Sequence, residues 1–158
     1  MFFKNILSLC FLFFFIFSVY GQTETIREKD VSLNVQVWFY SQYPKSSDAS
    51  WAKAHTVSSK ERFKVTFVFE NTKMSAVYDS EGDRISEQKE ILTPHIMLVN
   101  YVQDNYEKPR IKELILKTDF VSNEMTYIMD VKSKSNGNEI LLFDEDFNRI
   151  IQELVSSN

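Results

Sequence analysis

The chain writes one short phrase twice. YDSEGDRI occupies Tyr78–Ile85, and FDEDFNRI occupies Phe143–Ile150, 65 positions later. In a chain of 158 residues, a repeat of that period leaves room for two copies of one small unit and little else.

The match extends outward from both motifs. Upstream, RFKVTFVFE places Phe63, Val65, Phe67 and Phe69 on one face and Lys64, Thr66, Val68 and Glu70 on the other. TYIMDVK places Tyr127, Met129 and Val131 against Thr126, Ile128, Asp130 and Lys132. Period-two alternation rich in aromatic and β-branched residues predicts strands. Asn136-Gly137 predicts a type I′ hairpin turn, and ENTK with Asn71 at its tip stands at the matching place. KMSAVY and EILLF are the next strands. After the repeated motif, RISEQKEI and RIIQELV are candidate last strands.

Further upstream the copies align at an offset of 63, pairing Asp30 with Thr93, Val35 with Leu98, Phe39 with Val102 and Tyr43 with Tyr106. The second copy predicts a helix with Thr93 as N-cap and Pro94 as first helical residue. Its apolar stripe would be Ile96, Val99, Val102 or Gln103, and Tyr106. The first copy conflicts with itself. Val31, Leu33, Val35, Val37 and Phe39 alternate as in a strand, whereas the repeat asks for a helix capped by Asp30. The repeat is the stronger argument, because local propensity yields to context. The expected fold is α+β: two tandem αββββ units forming a curved antiparallel sheet of about eight strands, with both helices on one face.

The N-terminus is set apart. Lys4 followed by the apolar run Ile6–Val19 and by Val19-Tyr20-Gly21 predicts a signal peptide over residues 1–21, the alternative being an uncleaved anchor helix. The first unit then spans 22–91 and the second 92–158. The single cysteine, Cys10, lies in the leader, so the mature chain has no disulfide or thiol chemistry. The expected location is the periplasm or the exterior, with no stable membrane span after cleavage. The net charge of −4 and the lack of a basic run exclude a nucleic-acid surface.

The ordered motifs resemble the PepSY-like, β-lactamase-inhibitor-like proteins of the Bacteroidetes envelope. The first unit matches through Phe39, Tyr43-Pro44, Trp51, Phe63, Val65, Phe67, Tyr78-Asp79 and Gly82. The second matches through Thr93-Pro94, Tyr106, Ile111, Tyr127, Met129, Val131 and Phe143-Asp144. Phe147 departs from the family's glycine, which implies a differently shaped second turn, and Asn71-Thr72 replaces the usual Asn-Gly tip. The resemblance implies a paired αββββ fold and an inhibitory or binding module. It is an analogy of fold, and fold does not fix function.

Chemistry is thinly represented. No G-x-S-x-G elbow exists, and too few glycines remain for a phosphate-cradling loop. His55, on an expected strand, and His95, near the second helix, read as ordinary polar residues. Asp144, Asp146 and Asn148 begin like a calcium loop, but Arg149 and Val155 stand where glycine and the closing glutamate belong. The first copy, with Asp79, Glu81 and Asp83, also lacks a glycine at that sixth place, and helices flank neither motif. Two distant histidines without a thiol cannot make a zinc site. Trp51 and Tyr43 read as core, because their counterparts are Leu114 and Tyr106. No catalytic residue, metal or cofactor is therefore expected.

That leaves the sheet face away from the helices. With the aromatic parity turned to the helices, the open face carries Lys64, Thr66, Val68, Val77, Ile128, Asp130, Lys132, Ile140 and Leu142. Apolar residues with a charged rim suit the capture of another envelope protein or peptide, or self-association. The alternatives are a small-ligand carrier holding a lipid or peptide between sheet and helices, and an envelope enzyme. The lack of a clustered nucleophile and base disfavours the enzyme.

Overall fold

The computed structural model of the protein describes residues 23–55 and 60–151. The predicted leader, and the end of the RIIQELV strand from Gln152 onward, lie outside those residues.

The elements run β1 (Thr23–Ile26), a 3-10 turn (Glu28–Asp30), α1 (Leu33–Gln42), β2 (Ser47–His55), β3 (Glu61–Phe69), β4 (Thr72–Asp79) and β5 (Arg84–Glu90). Then come α2 (Ile96–Asn105), β6 (Arg110–Asp119), β7 (Glu124–Ser133), β8 (Gly137–Phe143) and β9 (Arg149–Ile150). All strands join one antiparallel sheet whose spatial order is the order of the sequence. The fold class is as expected, with nine strands in place of about eight. The extra strand is β1, which pairs along β2 from Thr23↔Ala54 to Ile26↔Trp51.

Residues opposite one another in the ladder share a face, so the register locates the helices. Val31, Val35, Phe39 and Tyr43 bury against Trp51, Phe63, Val65, Phe67, Ala76 and Tyr78. Leu98 and Val102 bury against Leu114, Met129, Val131, Leu141 and Phe143. From Ala76 the ladder leads through Glu87 and Thr118 to the parity of Leu114, so both helices cover the same face. α1 lies over β2–β4 and α2 over β6–β8. The strand-like alternation of residues 31–39 is misleading. The spacing of four from Val31 through Tyr43 forms the buried stripe, while Leu33 and Val37 point outward and are exposed.

Several local expectations need correction. α1 starts after Ser32, with Asp30 in the preceding 3-10 turn, so Asp30 is not its cap. α2 starts after His95, not Thr93, and the Met97 N–H donates to His95 Nδ1 at 3.4 Å. Its stripe is Leu98 and Val102, with Tyr106 packed alongside; Ile96 faces outward at 62 % exposure. That stripe, spaced by four, is the one the repeat aligned with Val35, Phe39 and Tyr43.

The hairpins also exchange roles. Glu70 and Asn71, both at positive φ (49° and 61°), link the paired Phe69 and Thr72, so the two-residue turn of type I′ form is in the first unit. In the second unit Ser133 pairs with Gly137 across three residues, and Gly137 takes φ +74°. Asn136 is not in the left-handed region; its N–H donates to Ser133 Oγ at 3.0 Å.

Candidate functional site

The face opposite the helices is assembled strand by strand from the register. Lys64 lies opposite Ala52 and Val77, and Val77 lies opposite Ser86. Thr66 pairs with Ser75 and Val68 with Lys73. In the second unit Ile128 pairs with Ile115 and Leu142, Asp130 with Glu113 and Ile140, and Lys132 with Asn138. All nine residues singled out from the sequence lie on this face. They fall into two groups, on β3–β4 and on β7–β8, separated by β5 and β6. At about 4.8 Å per strand, β3 and β7 are about 19 Å apart.

The two groups differ in character. Ile115, Ile128, Leu142 and Ile150 form one transverse row across β6–β9, each directly opposite the next and each half-buried. Sequence reasoning missed Ile115 and Ile150, although both sit at the period-two positions that put Ile128 and Leu142 there. Glu113, Asp130 and Lys132 flank the row, and Lys112 Nζ stands 3.9 Å from an Asp130 carboxylate oxygen. The other Asp130 oxygen is buried, with no hydrogen-bond partner among the described residues.

On the first unit the equivalent row is Ala52, Lys64, Val77 and Ser86. Here the face sinks. Ala54, Val77 and Ser86 are 2 %, 8 % and 4 % exposed, although neither α1 nor α2 covers them. They floor a recess of about 40 Å³ lined also by Thr23, Lys64, Ser75 and Gln88. Burial pulls the Lys64 ammonium below the usual lysine range, because the charged form loses solvation.

The repeated acidic motifs are closing turns. In the first, Asp79 accepts the N–H groups of Glu81 and Asp83 at 3.0 and 2.9 Å. In the second, Asp144 accepts those of Asp146 and Asn148 at 3.0 and 2.8 Å. The backbone bonds also correspond: Asp79 N–H to Asp83 carbonyl and Asp144 N–H to Asn148 carbonyl, both at 3.0 Å. The second turn is therefore not reshaped by Phe147, which adopts φ +64° where Gly82 has +98°. The Asn148 N–H, together with the Asn148 side chain and the Asp146 N–H, holds the Asp144 carboxyl below the ordinary carboxylate range. These short acids bond their own backbone, as turn-forming Asp does. Among the described residues no three His, Cys, Asp or Glu gather to hold a metal. His55 ends β2. His95 caps α2, and its ring stacks on Phe147 at 4.4 Å with an interplanar angle of 2°. Trp51 and Tyr43 are buried in the first core.

The outer surface of α1 also escaped sequence reasoning. The helix carries no charged residue, and Leu33, Val37, Trp38 and Tyr40 are all exposed on it. Among the described residues no helix is long and apolar enough to cross a membrane.

No protein-family model matches the chain, and no curated protein matches it at a significant level. Solved structures do. A BLIP-like protein from Bacteroides fragilis aligns over 81 % of this chain and 89 % of its own, with a TM-score of 0.60 and 12 % identity. A provisionally periplasmic protein from Bacteroides eggerthii aligns over 78 % and 88 %, at 0.61 and 11 % identity. A DUF2874 family protein from Bacteroides uniformis aligns over 77 % and 87 %, at 0.60 and 13 % identity. At these identities the likeness is one of fold: the chain shares the architecture of these Bacteroides proteins, two helices on one face of a long antiparallel sheet.

Proposed function

We propose that the protein is a non-enzymatic binding module of the cell envelope, periplasmic or secreted, that captures another envelope protein or peptide on its open sheet face. Inhibition of an envelope enzyme is the form such capture would take, in keeping with a fold shared with a protein named BLIP-like. The observation that carries the reading is the apolar row Ile115, Ile128, Leu142 and Ile150, which the helices leave uncovered and which charged side chains border. Apolar centres with polar rims are the pattern of protein interfaces.

The test is capture from envelope extract by wild type, by Ile128→Glu and by Val68→Glu. Ile128→Glu removes specific capture while circular dichroism and melting stay close to wild type; Val68→Glu weakens it less. Full retention of every captured protein by a folded Ile128→Glu variant refutes the assignment of the face.

A further inference from the structure

We propose that the partner held on the open face is cationic at the β9 end of the apolar row, with a lysine or arginine side chain seated in the cleft between the β6–β7 and β8–β9 turns. The proposal rests on the open-face reading and names the chemistry of what that face takes. The first argument is continuity. Ile150 ends the row across β6–β9 and also walls a cleft of about 260 Å³. Thr126, another wall, stands two residues before Ile128 on the same face. A segment lying on the row therefore reaches the cleft without leaving the surface. Asn123, Glu124, Met125 and Glu145 of its lining are exposed in the folded chain, Met125 at 40 %.

The second argument is charge. Glu124, Asp144 and Glu145 line the cleft, and among the described residues no lysine or arginine does. The two turns, residues 119–124 and 144–148, carry five acids and no basic residue. The Glu145 carboxylate has no hydrogen bond or ion pair to a described residue. Glu124 accepts from Ser122 Oγ at 3.1 Å, and the N–H groups of its own turn keep Asp144 ionised. Arg149 is turned to Glu139, and Lys117, opposite Thr126, forms no ion pair with these acids. The third argument is the fit of a long side chain. Among the described residues these acids do not converge as metal ligands do. Spread around a cleft of this size, they suit a cation whose aliphatic stem covers Met125 and Ile150 while its head stays among the carboxylates. An apolar row with an acidic end complements a segment with an apolar residue beside a basic one.

The chemistry can be probed without the partner. Isotope-labelled protein is titrated at neutral pH and low ionic strength with three N-acetyl dipeptide methylamides: leucyl-arginine, leucyl-lysine and leucyl-citrulline. Citrulline is the uncharged analogue of arginine. Saturable shifts are expected at the Glu124, Met125, Ile128 and Glu145 amides with the cationic peptides. Citrulline should bind about fivefold more weakly than arginine, the upper range for an exposed ion pair. The cationic peptide that saturates at lower concentration identifies the preferred side chain. The double variant Glu124→Gln, Glu145→Gln should weaken cationic binding by a similar factor and leave the citrulline peptide unchanged. Failure of both cationic peptides to saturate overturns the proposal, as does equal affinity for citrulline or unchanged cationic affinity in the folded double variant. If that variant loses its native spectrum, salt decides: cationic binding that weakens with ionic strength supports the cleft, and indifference to salt overturns it. Row amides that shift on dilution, with cleft amides indifferent to peptide, give the face to a second copy and overturn the proposal. Absent cationic binding alongside capture that Ile128→Glu abolishes removes the cleft and leaves the face reading standing. Cationic binding alongside full capture by a folded Ile128→Glu protein refutes the face reading, and with it the cleft's role in capture.

Discussion

The two units share a skeleton and fill it differently. The first core is aromatic, with Phe39 edge-on to Trp51 and Phe67 (5.2 and 4.9 Å) and Tyr43 against Phe67 and Phe69. The second is largely aliphatic and sulfur-containing: Leu98, Val102, Leu114, Met129, Val131 and Leu141, with Phe143 as its one fully buried ring among the described residues. The turn after β4 or β8 shows the same exchange. In the first unit Gly82 makes room for Trp38 of α1, and a Cβ there would be driven into Trp38 Cδ1 and lie 3.1 Å from the Asn34 carbonyl oxygen. In the second unit Phe147 occupies the turn itself and packs on His95 and Tyr127. An aromatic ring joins helix to turn in both. It comes from the helix once and from the turn once. What the duplication preserves is backbone geometry and total filling, and the identity of the filling side chain is free to vary.

That comparison can be broken at several points. The largest expected effect is Phe39→Ala, which should cost about 3–5 kcal/mol in denaturant unfolding, since the ring is fully buried among other rings. Its counterpart Val102→Ala removes less volume and should cost roughly half as much. Equal costs would mean that the cores are energetically alike despite their composition.

Gly82→Ala comes next. It combines φ +98° with the Trp38 collision and should lose about 2–3 kcal/mol. Phe147→Gly should lose about 1 kcal/mol, because relief of the left-handed strain offsets part of the lost ring packing. A larger loss for Phe147→Gly than for Gly82→Ala would invert the account of the two turns.

Tyr43→Phe tests a third element. The Tyr43 hydroxyl donates to Glu87, and Arg84 donates to that hydroxyl at 2.7 Å and to Glu87 at 2.6 Å. Burial first, and then the Glu87 carboxylate, push the Tyr43 phenol well above its ordinary range. In the second unit Arg149 faces Glu139 at 3.8 Å, and Tyr106 leans on the same glutamate. Tyr and Arg thus recur at matching positions, while the acid comes from β5 in one unit and β8 in the other. Tyr43→Phe should cost about 1 kcal/mol, and Tyr106→Phe, in the more exposed cluster, less. Spectroscopic titration of wild type should show Tyr106 ionising late: burial, assisted by Glu139, raises it to about 12.

The smallest effect is a pH dependence. The Asp144 carboxyl is held below the ordinary aspartate value of 3.8, so its contribution to stability is full above that value and fades as pH falls through the lower folded pKa. The stability difference between wild type and Asp144→Asn should therefore be constant near neutrality and shrink only below about pH 4. A difference that grows on acidification would contradict the turn geometry.

Much of this was legible in the sequence. The repeat outweighed the strand-like alternation of residues 31–39 because it carried tertiary information that local propensity lacks. Helix starts were misread at Asp30 and Thr93, since caps depend on neighbours such as Phe147 that are distant in the chain. Asn136-Gly137 predicts a type I′ turn that the chain forms instead at Glu70-Asn71, because the register of each hairpin, which fixes the loop length, cannot be read from the turn residues alone. Parity placed the open-face residues, but no periodicity rule foretells that one half sinks into a recess beside Lys64 while the other forms an apolar row. The exposed Leu33 and Trp38 defeat any reading that equates apolar with buried.

The sheet is a pure meander, and this bears on how the molecule is made. Among the described residues every strand pairs with its sequence neighbours, and the longest detours are the two helical connections, from Ile26 to Trp51 across α1 and from Glu90 to Ile115 across α2. No strand has to wait for a later one to complete its inner neighbour's ladder. Loop-closure costs stay small at every step, and structure can accrete from the N-terminal end in the order in which the chain arrives. In a chain that emerges N-terminus first, such an order lets each strand after β1 find its partner already in place.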